Sequence, residues 1–152
     1  MTNDLRLEDR AVITEQMHRF ARALDWLELD DLRHVLATDV VMASPHSGDL
    51  TGIDAVLAWM HQEYSPFEAT HHLISNISVT FTGAGSAEAV SYVSAWHRHV
   101  EGEHPDVLFW GEYHDTWTLV DGTWRIAIRR THEAGVEPRR FGGTPNRRRA
   151  RR

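Results

Sequence analysis

The feature that most constrains this chain is a change of hydrophobic period at Thr70. Before it, Ile13, Met17, Phe20 and Leu24 recur at i, i+4, i+7 and i+11, which places them within about 60° of one another on a helical wheel. After it, apolar and polar residues alternate, as in strands with one buried face. A chain that opens helical and continues as long strands is α+β, with helices packed on one face of an antiparallel sheet.

The spacing predicts helices over 8–25, 29–37 and 53–64, and a short early strand over 39–44 that ends at Pro45. His46 to Asp49 reads as a turn by composition. Long strands follow over 70–82, 87–100, 106–120 and 123–132, with hairpin turns at Gly83–Ser86 and Asp121-Gly122. On the first of these strands Leu73, Ile77, Val79 and Phe81 share one parity, and His72, Ile74, Asn76 and Ser78 share the other. On the last, Arg125 and Arg129 share a parity opposite to Trp124, Ile126 and Ile128. The length of 152 residues suits one domain, read here as 1–137 with a frayed start over 1–7. Residues 138–152 lack periodicity and read as a disordered, Arg-rich tail, either a solubilising extension or a contact for an acidic partner.

Two absences narrow the chemistry. Cysteine is missing, which removes disulfides, thiol nucleophiles and thiolate metal sites. Lysine is missing too, since all 16 basic residues are arginine. Lysine Schiff bases, and the usual anchorage of pyridoxal phosphate, are therefore excluded. Carboxylates, 11 histidines, tyrosines, hydroxyls and arginines remain. Seven arginines lie in Arg139 to Arg152, so the preceding part carries nine against all 22 acids, 9 − 22 = −13 with histidine neutral. A body this acidic should repel nucleic acid. No apolar run reaches the length of a membrane span and no secretory leader is evident, so the expected compartment is the cytoplasm.

No nucleophile elbow, phosphate-binding loop, dinucleotide fingerprint or zinc-protease motif is present. His97-x-His99 sets two imidazoles on one side of a strand, but nothing in the spacing supplies a third metal ligand, and no metal is expected. Asp25 ends the first helix at the edge of its apolar stripe, where the macrodipole disfavours an anion. It is either a solvated acid in the turn or a carboxylate with a donor close by. His72 alone reads as an ordinary polar strand residue, but paired with Asp25 it becomes a base. A carboxylate on one ring nitrogen fixes the tautomer and stabilises the imidazolium, leaving the other nitrogen free to take a proton. Trp96, Phe109, Trp110, Tyr113 and Trp117 lie on the adjacent strands, where several must serve the core. Phe109 and Tyr113 fall on one side, with Trp96 as a further candidate for contact with a substrate. Tyr113 could offer a hydroxyl to a substrate oxygen. Arg129 could hold an anion or a leaving group, or equally form a structural ion pair with Asp25 or Asp115. Large apolar side chains on both parities of the last strands, among them Trp96, Trp110, Trp117, Trp124 and Ile128, predict a homodimer packed sheet to sheet.

Taken in order, the Ala-Arg-Ala-Leu-Asp25 helix end, Gly52-Ile53-Asp54-Ala55-Val56, Thr70-His71-His72-x-x-x-Asn76, Gly111-x-Tyr113-His114-Asp115 and Asp121-Gly122-x-Trp124-Arg125-Ile126 resemble the SnoaL-like branch of the nuclear transport factor 2-like superfamily. The resemblance covers about residues 8–133. It implies a cone-shaped barrel, a curved sheet wrapped around three N-terminal helices with a deep apolar pocket. It also implies an Asp–His pair working without a cofactor, as in scytalone dehydratase and hexachlorocyclohexane dehydrochlorinase, with the aspartate falling on Asp25 and the histidine on His72. The lysine that the dehydrochlorinase uses on its first helix has no counterpart here. The function so implied is a lyase or isomerase, dehydratase-like, acting on a small, largely apolar molecule. The alternatives are a binding module without turnover, a dioxygenase small-subunit-like protein and a polyketide cyclase.

Overall fold

The computed structural model describes residues 6–100 and 104–138. Helix α1 (Leu7–Asp25) leads through a 3-10 helix (Leu29–His34) to strands β1 (Leu36–Ser44) and β2 (Gly48–Thr51). Helix α2 (Ile53–Tyr64) precedes four long strands, β3 (Phe67–Gly83), β4 (Ser86–His99), β5 (Val107–Val120) and β6 (Thr123–Glu137). The six strands make one curved, unclosed sheet in the order β2-β1-β6-β5-β4-β3. β3 to β6 are an antiparallel meander, and β1 runs parallel to β6. α1 packs against β3 at the sheet's edge and against β6 further in, so the sheet curls around it. The architecture is the expected α+β cone.

Two early elements differ from expectation. The second helix is a 3-10 helix that stops at His34, because strand pairing takes over at once. The Ile126 amide donates to the Val35 carbonyl, and Leu36 already pairs with Ile126 on β6. The turn after Pro45 is shorter than expected, and Gly48 to Thr51 form a second early strand on β1. Gly48 has φ +66°, a conformation that favours glycine. The expected tail lies outside the described residues except for Pro138, and so does most of the expected frayed start, 1–5.

Bulges decide which side chains face the interior, and two of them set the faces of β3 and β6 around the site. Ser75 pairs with Tyr92 but Ser78 with Val90, which leaves one extra residue on β3 beside Asn76, whose φ is +52°. The parity therefore flips within the strand. Thr70 and His72 point inward before the bulge, Val79 after it, and Leu73 is turned out at 57% exposure. The expectation that Leu73 shares a face with Ile77, Val79 and Phe81 is thus corrected. On β6, Thr116 pairs with Ile128 and Trp117 with Ile126, so Ala127 is extra. Trp124 and Ile126 before it, and Arg129 after it, are all buried on one side. Arg125, expected on Arg129's face, is half-buried on the opposite side and donates instead to the Arg33 carbonyl.

The core gathers between α1 and the sheet around Ile13, Met17, Phe20, Leu24, Trp117, Trp124 and Ile126. Among the described residues no helix is long and apolar enough to cross a membrane.

Candidate active site

Asp25 is the last residue of α1. The helix stops there through two closing hydrogen bonds, Glu28 N–H to the Ala23 carbonyl and Leu27 N–H to the Leu24 carbonyl, with Leu27 at φ +56°. A leucine in that left-handed conformation costs roughly 1–2 kcal/mol. The bend turns the carboxylate toward β3, where three donors meet it. The His72 ring Nδ1 lies 2.7 Å from Asp25 Oδ1, the His72 amide donates to Oδ2 at 3.0 Å, and the Thr70 hydroxyl is 3.1 Å from Oδ1. Burial acts to raise the Asp25 carboxyl, but the hydrogen bonds from His72 and Thr70 outweigh it and hold the group below the usual carboxylate range. Because the carboxylate only accepts, Nδ1 carries the imidazole proton and Nε2 is left as the acceptor.

Nε2 faces a cavity of about 150 Å³. Phe20 and Leu24 of α1 form its floor; Trp59, Met60 and Tyr64 of α2, with Phe67, close one side. Met42, Ala95, Val107, Phe109, Tyr113 and Val136 line the sheet side, and Ser44, His46, Glu63 and Thr131 add polar groups. Phe109 keeps its position because Gly111 lies beneath its ring, and a Cβ on Gly111 would stand 2.7 Å from that ring.

Three of the residues singled out from sequence line this cavity with His72, namely Phe109, Tyr113 and Arg129, while Asp25 lies behind His72 and reaches the cavity only through its bond to that ring. Burial pushes the Tyr113 hydroxyl up to about 12, so it is a donor at neutral pH. Arg129 donates to both oxygens of Asp115, and its guanidinium lies 4.1 Å from the ring centres of Phe20 and Tyr113. The ion pair with Asp115 is the one formed. Its Nη1 is buried with no partner among the described residues. Burial works against the cation, and Asp115 more than compensates, raising its pKa.

Trp96 does not belong to the cavity, which corrects its candidacy for substrate contact. Ala95 and His97 take the inward positions, so Trp96 faces out, donates to Asp106 at 2.7 Å and carries Arg98 over its ring. Among the described residues no group of three or more histidines and carboxylates is arranged to hold a metal. His97 and His99 are both packed against Phe67, each 4.9 Å from its ring centre.

Two residues beside His72 were not placed in the cavity from sequence: Tyr64, and His97, which was weighed only as half of a metal pair. Tyr64 continues the α2 stripe one turn beyond Met60, and its hydroxyl lies 3.2 Å from His72 Nε2. His97 lies edge-on to His72, 5.2 Å between ring centres. Burial pushes its imidazole down to about 4, aided by His72, so it is neutral at physiological pH. The inward parity of β4 and the helical stripe of α2 were the available signals.

Similar structures share this architecture. A protein from Novosphingobium aromaticivorans provisionally named scytalone dehydratase superposes with a TM-score of 0.85 at 26% identity, over 97% of both chains. A Kribbella flavida protein reaches 0.79 at 25% identity, over 86% of this chain and 93% of its own. A hexachlorocyclohexane dehydrochlorinase from Novosphingobium barchaimii reaches 0.79 at 18% identity, over 93% and 95%, a likeness of fold alone. Among proteins of curated function none matches the sequence significantly. The sequence profile of the SnoaL-like domain matches residues 5–130, and the chain belongs to that family, within the nuclear transport factor 2-like superfamily.

Proposed function

We propose that this protein is a cofactor-independent lyase or isomerase, dehydratase-like, in which His72 removes a proton from carbon on a small, largely apolar molecule. The observation that carries the reading is the Asp25–His72 contact at 2.7 Å, on the wall of an aromatic-lined cavity. Asp25 fixes the tautomer and balances the imidazolium once the proton is taken. The acidic hydrogen belongs next to an activating group such as a carbonyl. The Tyr113 hydroxyl and the unpaired Nη1 of Arg129 are donors for the carbonyl or departing oxygen. His97, a neutral imidazole, is a further ring N–H able to hydrogen-bond a leaving hydroxyl, and the proton that leaves with that hydroxyl is the one His72 has taken. General base catalysis supplies roughly 10²–10⁴-fold in rate, and donors fixed in a dry pocket supply the rest. The likeness to the provisionally named scytalone dehydratase, at 26% identity over nearly the whole chain, agrees with elimination of water. Solvent-deuterium incorporation next to the carbonyl of cyclohexanone, compared with Asp25→Asn and His72→Ala, tests the reading. A cavity of about 150 Å³ has the size that accepts a six-membered ring.

The proposal extends to assembly. Leu73, Tyr92, Leu108 and Trp110 are exposed on the side of the sheet away from the helices. Two copies packed through this face bury a patch that a lone chain leaves in water.

A further inference from the structure

We propose that Tyr64 is a displaceable cover on the base, donating to Nε2 of His72 while the pocket is empty and giving up that position to substrate. The inference rests on the reading of His72 as the base. Every donor around Asp25 points at its carboxylate, so the proton of the neutral ring sits on Nδ1 and the lone pair on Nε2. The partner of that lone pair is the Tyr64 hydroxyl, 3.2 Å away, with both side chains buried. Burial raises the Tyr64 hydroxyl well above its ordinary value, so it stays protonated and donates. An acidic carbon–hydrogen bond must approach the same lone pair, which one nitrogen cannot offer twice.

The cover has a second property. A hydroxyl both donates and accepts. Once the product has left, an Nε2–H still held by His72 can donate to the Tyr64 oxygen, so the contact re-forms with its roles exchanged outside the chemical step. Tyr64 is therefore a positioning residue that steadies the ring before and after proton uptake. Its own ring is held independently of the hydroxyl, by edge contacts with Phe67 and His97 at 6.2 and 6.0 Å between centres. Tyr64→Phe should keep that packing and remove only the cover.

The test uses the full chain, nitrogen NMR of the His72 ring and cyclohexanone as probe. In Tyr64→Phe the Nε2 resonance should move downfield, as an acceptor nitrogen does on losing its donor, with Nδ1 unmoved. The same variant should raise kcat/KM for solvent-deuterium exchange into cyclohexanone about 2- to 10-fold, the worth of one neutral hydrogen bond. That gain should come through KM, with kcat changed less than about 2-fold. An Nε2 resonance indifferent to the substitution would overturn the proposal. So would a fall in kcat of about 10-fold or more, which would make Tyr64 a participant in the chemistry. Wild-type protein that exchanges nothing, with the Nε2 shift still seen, would remove the base assignment and leave the Tyr64–His72 contact standing.

Discussion

Arg129 donates to both carboxylate oxygens of Asp115, from Nε at 2.8 Å and Nη2 at 2.7 Å, with both side chains closed off from water. The two residues face each other across β5 and β6 in register. Removing one partner strands the other's charge in the interior, which costs about 3–5 kcal/mol. Asp115→Ala should lose that much in urea unfolding. The double change Asp115→Leu with Arg129→Met should recover most of it, because no uncompensated charge is left behind.

His97 should make the fold sensitive to acid. Its imidazole is pushed from 6.5 to about 4 by burial, so between those values the unfolded chain binds a proton that the folded one refuses. Stability should fall as pH drops from about 6.5 to about 4, by up to about 3 kcal/mol from this group. His97→Phe should flatten the slope in that window. Asp25 acts lower down: its depressed carboxyl contributes stability that is present above its unfolded value and is lost as pH falls through its folded one. Stability curves from chemical unfolding between pH 3 and 8, with and without the substitutions, separate the two groups.

Association should depend on the outer sheet face. Trp110 is 42% exposed there, beside Leu108 and opposite the helices. Light scattering at micromolar concentration should give a dimer for the wild type and a monomer for Trp110→Glu, with the far-ultraviolet spectrum unchanged. A wild-type monomer would refute the assembly proposal.

The long strands are legible in the sequence because their alternation is regular, and α1 because its stripe runs through three turns. The inward faces are less so. Each bulge adds one residue and flips the parity, and neither Asn76 nor Ala127 announces a bulge by residue type. Counting straight through β6 separates Arg129 from Ile126, whereas the fold buries both on one side. Asp25 and His72 pair on sequence grounds because a carboxylate at a helix C-terminus calls for a donor. Tyr64 escapes such reasoning because its position in the α2 stripe suits core packing equally well, and only the fold shows where its hydroxyl ends. Trp96 misleads for the opposite reason: its bulk suggests a pocket wall, while the alternation of β4 gives the inward positions to Ala95 and His97.

The central claim is that Asp25 and His72 work together as a base, and hydrogen exchange at carbon reads it most directly. Cyclohexanone in deuterium oxide should gain deuterium next to its carbonyl faster with the wild-type protein than with an equal concentration of free imidazole. His72→Ala should bring the rate to the buffer background, and Asp25→Asn should lower it by about 10²-fold or more, with circular dichroism confirming that both variants stay folded. Wild-type exchange no faster than free imidazole, or variants as fast as the wild type, would contradict the assignment of His72 as the base.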